Sequence, residues 1–170
     1  LVVLSDLHLS EGWDEDGFLQ KKEDFFFDTS FKRFLSYLKE EAKKGDFFYR
    51  LLINGDFVDF LQFTTVPGKE VLSGQAFTER ERSVGLGTGE AKTLWKLSRL
   101  MSGHEIFFFA IADFLASGHE LLILPGNHDI EWIMPKVQER FKRQVSNLVQ
   151  ASGVLDDRIT FLPWFYHDPL

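Results

Sequence analysis

The sequence contains no cysteine. That removes disulfide frameworks and thiolate sites from consideration. It is also short of basic charge: 19 Lys and Arg stand against 26 Asp and Glu, giving a formal net charge of -7. Broad binding to a phosphate backbone relies on Lys and Arg, so a nucleic-acid partner is disfavoured, without removing nucleases altogether. The same acidic balance suits a site that gathers divalent cations. No apolar run approaches the length of a membrane span. Internal repeats, low-complexity segments and domain linkers are absent as well. What is there is one domain's worth of chain: 170 residues, enough for a sizeable core, with an ordinary 44% hydrophobic content. Nineteen Phe residues point to a core or a pocket built from aromatic rings.

Both ends read as interior to a longer natural chain. Leu1 already lies in an apolar strand, and the last residues stop without a terminating pattern. The expectation is one domain over residues 1–170, cut at both ends, with any targeting segment outside it and a cytoplasmic setting.

Three stretches share one design. Residues 1–4 are an apolar strand that runs into Asp6 and His8. Residues 47–54 are another, running into Gly55, Asp56 and Asp59. Residues 120–124 are a third, stopped by Pro125-Gly126 and followed by Asn127, His128 and Asp129. A short apolar run bounded by turn residues predicts a buried strand. Open α/β sheets form their crevices at the carboxyl ends of such strands. The remaining pattern predicts helices at 31–44, 89–102, 105–117 and 135–151, and a fourth strand at 158–166. Asp28, Thr29 or Ser30 would cap the first helix and Gly45 end it; Thr88 would cap the second, and Gly103, Gly118 and Gly153 would end the others. Residues 62–88 are the least regular part. They follow a motif loop and are candidates for lining a pocket, with Arg80 and Arg82 as candidate phosphate contacts. The alternation of strands and helices argues α/β.

The clustered residue types suit metal-assisted phosphoester chemistry. Two divalent cations about 3.5–4 Å apart can clamp phosphoryl oxygens and acidify a bound water. They need hard oxygen ligands and imidazoles. Asp6 and His8 are two apart, so in an extended strand they would share one face and reach one metal. Asp56 supplies a carboxylate from a second strand end, and Asn127 a neutral oxygen from a third.

In order, the three stretches read Asp-x-His, Gly-Asp-x-x-Asp and Gly-Asn-His-Asp. Together they resemble the first three motifs of the calcineurin-like metallophosphoesterases. The surrounding wording is most similar to bacterial members of the type that includes UDP-diacylglucosamine hydrolases. The resemblance implies a four-layer α/β/β/α sandwich and two divalent metal ions, manganese, iron or zinc. It implies that Asp6 and His8 bind the first metal, that Asp56 bridges, and that Asn127 binds the second. His128 would be the general acid or stabilise the transition state, and Asp59 would orient His128 by a hydrogen bond. A carboxylate partner favours the imidazolium form, which suits a general acid. Gly55 and Gly126 would allow sharp turns and close backbone approach. The implied reaction is hydrolysis of a phosphoester. The alternatives are a nuclease of the same family and a non-catalytic interaction platform on the same fold.

The sequence departs from the family in one respect. The later histidines of the family pattern, a separate His and a Gly-His-x-His-like motif, have no match. His167 lacks both the Gly and the second His. Truncation before those motifs would leave weak or single-site metal binding, a fragment inactive alone, and an exposed sheet edge. The other polar candidates read as structural. Asp14, Glu15 and Asp16 form a solvated loop, and His104 and His119 sit at helix ends. Asp129 either caps the following helix or supports the metal ligands from behind.

Overall fold

The computed structural model describes residues 1–67, 77–150 and 155–167. Four parallel strands form one sheet in the order of the chain: β1 (Val2–Leu4), β2 (Arg50–Asn54), β3 (Glu120–Leu124) and β4 (Ile159–Phe161). The register sets Val2, Leu51, Leu121 and Ile159 in one row and Leu4, Ile53, Ile123 and Phe161 in another. Side chains alternate across a strand, so these rows share a face. That face enters the main core: Leu51, Ile53, Leu121, Ile123 and Ile159 belong to it, with Val2, Leu4 and Phe161 packed against it.

Five α-helices connect the strands: α1 (Asp28–Gly45), α2 (Glu79–Val84), α3 (Glu90–Gly103), α4 (Glu105–Ala116) and α5 (Pro135–Leu148). The chain is mixed α/β. The apolar stripes of α1, α3, α4 and α5 join the core of that one sheet face, α1 against α4 and α5 against both α3 and α4. The phenylalanines explain themselves here. Phe57, Phe107, Phe108, Phe114 and Phe141 are fully buried, and Trp132 sits among them. Phe31 stacks on Phe107 at 3.9 Å, and Trp132 meets Phe141 edge-on at 5.2 Å.

Several boundaries differ from the expectation. α1 begins at Asp28 rather than 31, and its left-handed terminal residue is Asp46, not Gly45. The Phe47 ring lies where a Gly45 side chain would be, so Gly45 stays helical and gives way to the ring. β2 starts at Arg50 because Phe47 and Phe48 are half exposed beside that reversal. α3 starts from Gly89 without a side-chain cap, so Thr88 does not cap it. Gly103 is the last residue of α3, and the chain passes through His104 directly into α4. α5 stops at Leu148, before a left-handed Gln150; Gly153 lies outside the described residues. β4 is three residues long rather than nine. Leu162 still donates to the Ile123 carbonyl, but Pro163 has no N–H to continue the ladder. Within the stretch read as irregular, Thr78 and Glu81 form a reciprocal capping box that starts α2.

Candidate metal centre

The motif residues lie beyond the strands, in loops that remain tied to one another through the backbone. Asp6 N donates to Gly55 O at 3.4 Å, His8 N to Asp56 O at 3.0 Å and Leu9 N to Phe57 O at 3.1 Å. Asp59 N returns a bond to Leu9 O at 2.8 Å. The third loop joins through backbone and side chain: Phe60 N donates to His128 O at 3.3 Å, and His128 N donates to Asp56 Oδ1 at 3.0 Å. Three loops from adjacent parallel strands are thus held as one rim at the carboxyl end of the sheet.

Asp6, His8 and Asp56 do not present their side chains by strand alternation, as the two-residue spacing suggested. All three take left-handed backbone conformations, with φ of 55°, 50° and 47°. Such angles are uncommon for residues other than glycine and gather at functional sites. The convergence itself stands. Asp6, His8 and Asp56 offer ligand atoms all within 4.8 Å of one another, and so do His8, Asp59 and His128. His8 belongs to both groups. Its Nε2 lies 3.8 Å from Asp56 Oδ2, and its Nδ1 lies 3.7 Å from Asp59 Oδ2. The His8 and His128 rings meet edge to face at 4.9 Å. His128 Nδ1 approaches Asp59 Oδ2 to 2.9 Å, as a close ion-pair contact without the alignment of a hydrogen bond. Carboxylate oxygens and imidazole nitrogens at these separations form a donor set of the kind that holds a hard or borderline divalent cation.

No family model, curated protein or solved structure matches this chain.

Asn127 is exposed on the third loop, and its side chain makes no hydrogen bond among the described residues. Gly126 packs against Asp56: a Cβ there would fall 2.0 Å from Asp56 Oδ1. Gly55 turns the chain with φ of 82°. Asp129 does not cap the next helix through its side chain. It is wholly buried and accepts from Phe57 N (2.8 Å), Val58 N (3.2 Å), Gly126 N (2.6 Å) and Trp132 Nε1 (3.0 Å). One carboxylate thereby bolts the second motif loop to the third. Burial pushes its pKa up against the pull of those four donors.

Arg80 and Arg82 are the candidate phosphate contacts. They are exposed on α2, on either side of the inward-facing Glu81, which is paired with Lys92. Asp14 closes its own loop by accepting from Asp16 N and Phe18 N, and Glu15 and Asp16 are exposed. His119 Nδ1 accepts from Tyr49 N at 3.2 Å, and burial lowers its pKa. His167 is exposed.

Three buried charges behind the rim escaped the sequence reading. Glu11 holds the backbone of Thr64 and Thr65. Glu23 accepts from Ser10 N (2.9 Å) and Gly12 N (2.7 Å), fixing the loop after His8. Lys96 donates to Phe60 O at 2.6 Å, next to Asp59. Burial lowers the Lys96 pKa to about 8, against the opposing charges of Glu131, Asp59 and Glu11. A signal for Lys96 existed: it falls with Thr93, Leu97 and Leu100 on the buried face of α3. Glu11 and Glu23 sit in loops, where no periodicity marks burial.

Proposed function

We propose that the protein is a metal-dependent phosphoesterase whose centre is the rim built from Asp6, His8, Asp56, Asn127, Asp59 and His128. The observation that carries this reading is the joining of two ligand groups through His8, drawn from three strand-end loops. Asp6, His8 and Asp56 would hold one cation, and Asp56 together with Asn127 a second. Divalent cations bound there would supply Lewis acidity toward the phosphoryl oxygens and an acidified water. The chain's own residues do the rest. Asp59, buried and 2.9 Å from His128 Nδ1, would position the ring and leave Nε2 for the ester oxygen. His128 then gives its proton to the departing alcohol. Asp56 acts twice, as a ligand and as the acceptor that fixes the His128 backbone.

The reading extends to a four-layer architecture, in which the sheet face carrying Val3, Leu52 and Leu122 would meet a second sheet. It also extends to phosphoester substrates, with manganese, iron or zinc as the metal. The test is manganese-dependent hydrolysis of bis-p-nitrophenyl phosphate by the protein in its natural full-length form, beside its Asp56→Asn variant. Metal-requiring turnover that is lost in the variant is the expected result. Absence of both turnover and metal binding in the parent would overturn the reading in favour of a non-catalytic platform.

A further inference from the structure

A cavity of about 770 Å³ opens away from the rim. It lies between the loop after His8, the start of α1 and the facing turns of α3 and α4, and none of the proposed metal or catalytic side chains lines it. Trp13, Phe26, Trp95 and Ile106 give it apolar walls. Two charges of opposite sign share the same wall, Asp28 and Arg99. They form no ion pair with each other, and Arg99 forms none with any other described residue, although Asp14, Glu15 and Glu105 line the same space. Asp28 is 6% exposed, and its Oδ1 is taken by His104 Nδ1 at 2.9 Å. Among the described residues its Oδ2 has no hydrogen-bond partner, and neither has Arg99 Nε. Leaving buried polar groups of this kind unpaired is unfavourable. A space of this size, with aromatic walls and a few unspent polar groups, has the character of a small-molecule site.

The ligand chemistry follows from what the wall leaves unsatisfied. Asp28 needs a donor, best a cationic one. Arg99 needs an acceptor, best an anionic one. The aromatic rings need an apolar group beside the charged pair and favour a nearby ammonium. A simple anion would meet Glu15 and Glu105 at the mouth, and a simple cation would meet Arg99. We propose that this cavity binds a small zwitterion of the amino-acid type: its ammonium on Asp28, its carboxylate on Arg99, and an aromatic or aliphatic side chain against Trp13, Phe26 and Trp95. Both unpartnered atoms are enclosed, so binding requires the Asp28 carboxylate and the Arg99 guanidinium to turn toward the lumen. The proposal is independent of the phosphoesterase reading, because the two sites share no side chain.

The experiment is isothermal titration of the protein with L-phenylalanine, phenethylamine and 3-phenylpropionate. These probes share one ring and differ in which charge is present. L-Phenylalanine is expected to bind saturably in the millimolar range or tighter. Each analogue should bind at least tenfold more weakly, since each leaves one wall charge unpaired. Arg99→Leu should lower L-phenylalanine affinity at least tenfold and leave phenethylamine nearly unchanged. Trp95→Ala should weaken all three probes. Thermal unfolding of each variant checks that it is folded, and Arg99 has no ion pair among the described residues to lose. No saturable binding of L-phenylalanine, or equal binding of all three probes, or undiminished binding in Arg99→Leu, would each overturn the proposal.

Discussion

Gly126 and Asp129 show how single residues fix the rim. An alanine at 126 would drive its methyl group into Asp56, with Cβ 2.0 Å from Oδ1 and 2.4 Å from the backbone nitrogen. Neither atom is the free end of a flexible chain, because Asp56 Oδ1 is held by His128 N. Gly126→Ala should therefore lose about 1–3 kcal/mol of stability, read as a lower urea midpoint. It should also weaken manganese affinity, read by titration, because Asp56 has to move. An unchanged midpoint would mean that the rim tolerates more displacement than its hydrogen bonds indicate. Asp129 acts in the opposite way, by attraction. With four N–H donors converging on it, no neutral amide can replace it without turning a donor toward another donor.

At the scale of elements, two contacts decide how the helices are held. The first is His104, at the junction of α3 and α4. Its Nδ1 meets Asp28 at the start of α1, and its Nε2 meets Glu23 at 3.1 Å. Glu23 in turn holds the loop after His8. Burial opposes the charge on His104, but the two carboxylates outweigh it and raise the pKa. A raised histidine pKa gives stability that is fully present below the unfolded value of about 6.5 and is lost as pH rises through the folded value. His104→Gln should thus be most destabilising relative to the parent near pH 6, with the gap narrowing toward alkaline pH. Urea midpoints of both proteins across that range measure it, and a gap independent of pH would show that the ring matters only for packing. The second contact is Phe141 of α5, wholly buried against Phe57, Phe108, Trp132 and Phe161. Phe141→Ala should cost roughly 3–5 kcal/mol, measured by denaturant unfolding. A loss below 1 kcal/mol would mean that the neighbouring rings close the gap.

For the whole molecule, binding and stability are linked through the rim. If cations bind only the folded chain, stability rises with their concentration, by about 2.7 kcal/mol at a hundred times the dissociation constant. Manganese should raise the unfolding temperature in a dose-dependent way, and chelation should reverse it. Asp56→Asn should blunt the effect, because His8 would then lack a carboxylate that it shares with Asp6. A rise of equal size in the variant would assign the stabilisation to scattered acidic groups on a chain of net charge -7. The sheet has a second side to consider at this scale. Its other face carries Leu52 and Leu122, both nearly buried, beside a half-exposed Val3 and the Arg50–Glu120 ion pair. No helix of the described residues is long and apolar enough to cross a membrane.

Much of this was legible from residue types alone. Apolar runs stopped by turn residues located β1, β2 and β3, and helical spacing located α1, α3, α4 and α5 to within a few residues, because burial imposes those periods. The motif spacing also named Asp6, His8, Asp56, Asp59 and His128, which the fold does bring together. The sequence could not say how they converge. Asp and His tolerate left-handed backbone better than most residues, but the bonds that hold Asp6, His8 and Asp56 there join loops far apart in the chain. The exposure of Arg80 and Arg82 likewise depended on Glu81 turning inward to its cap and to Lys92. Burial of a charge is a property of what packs around it. For that reason Glu11, Glu23 and the cavity lined by Asp28 and Arg99 were decided by the tertiary structure alone.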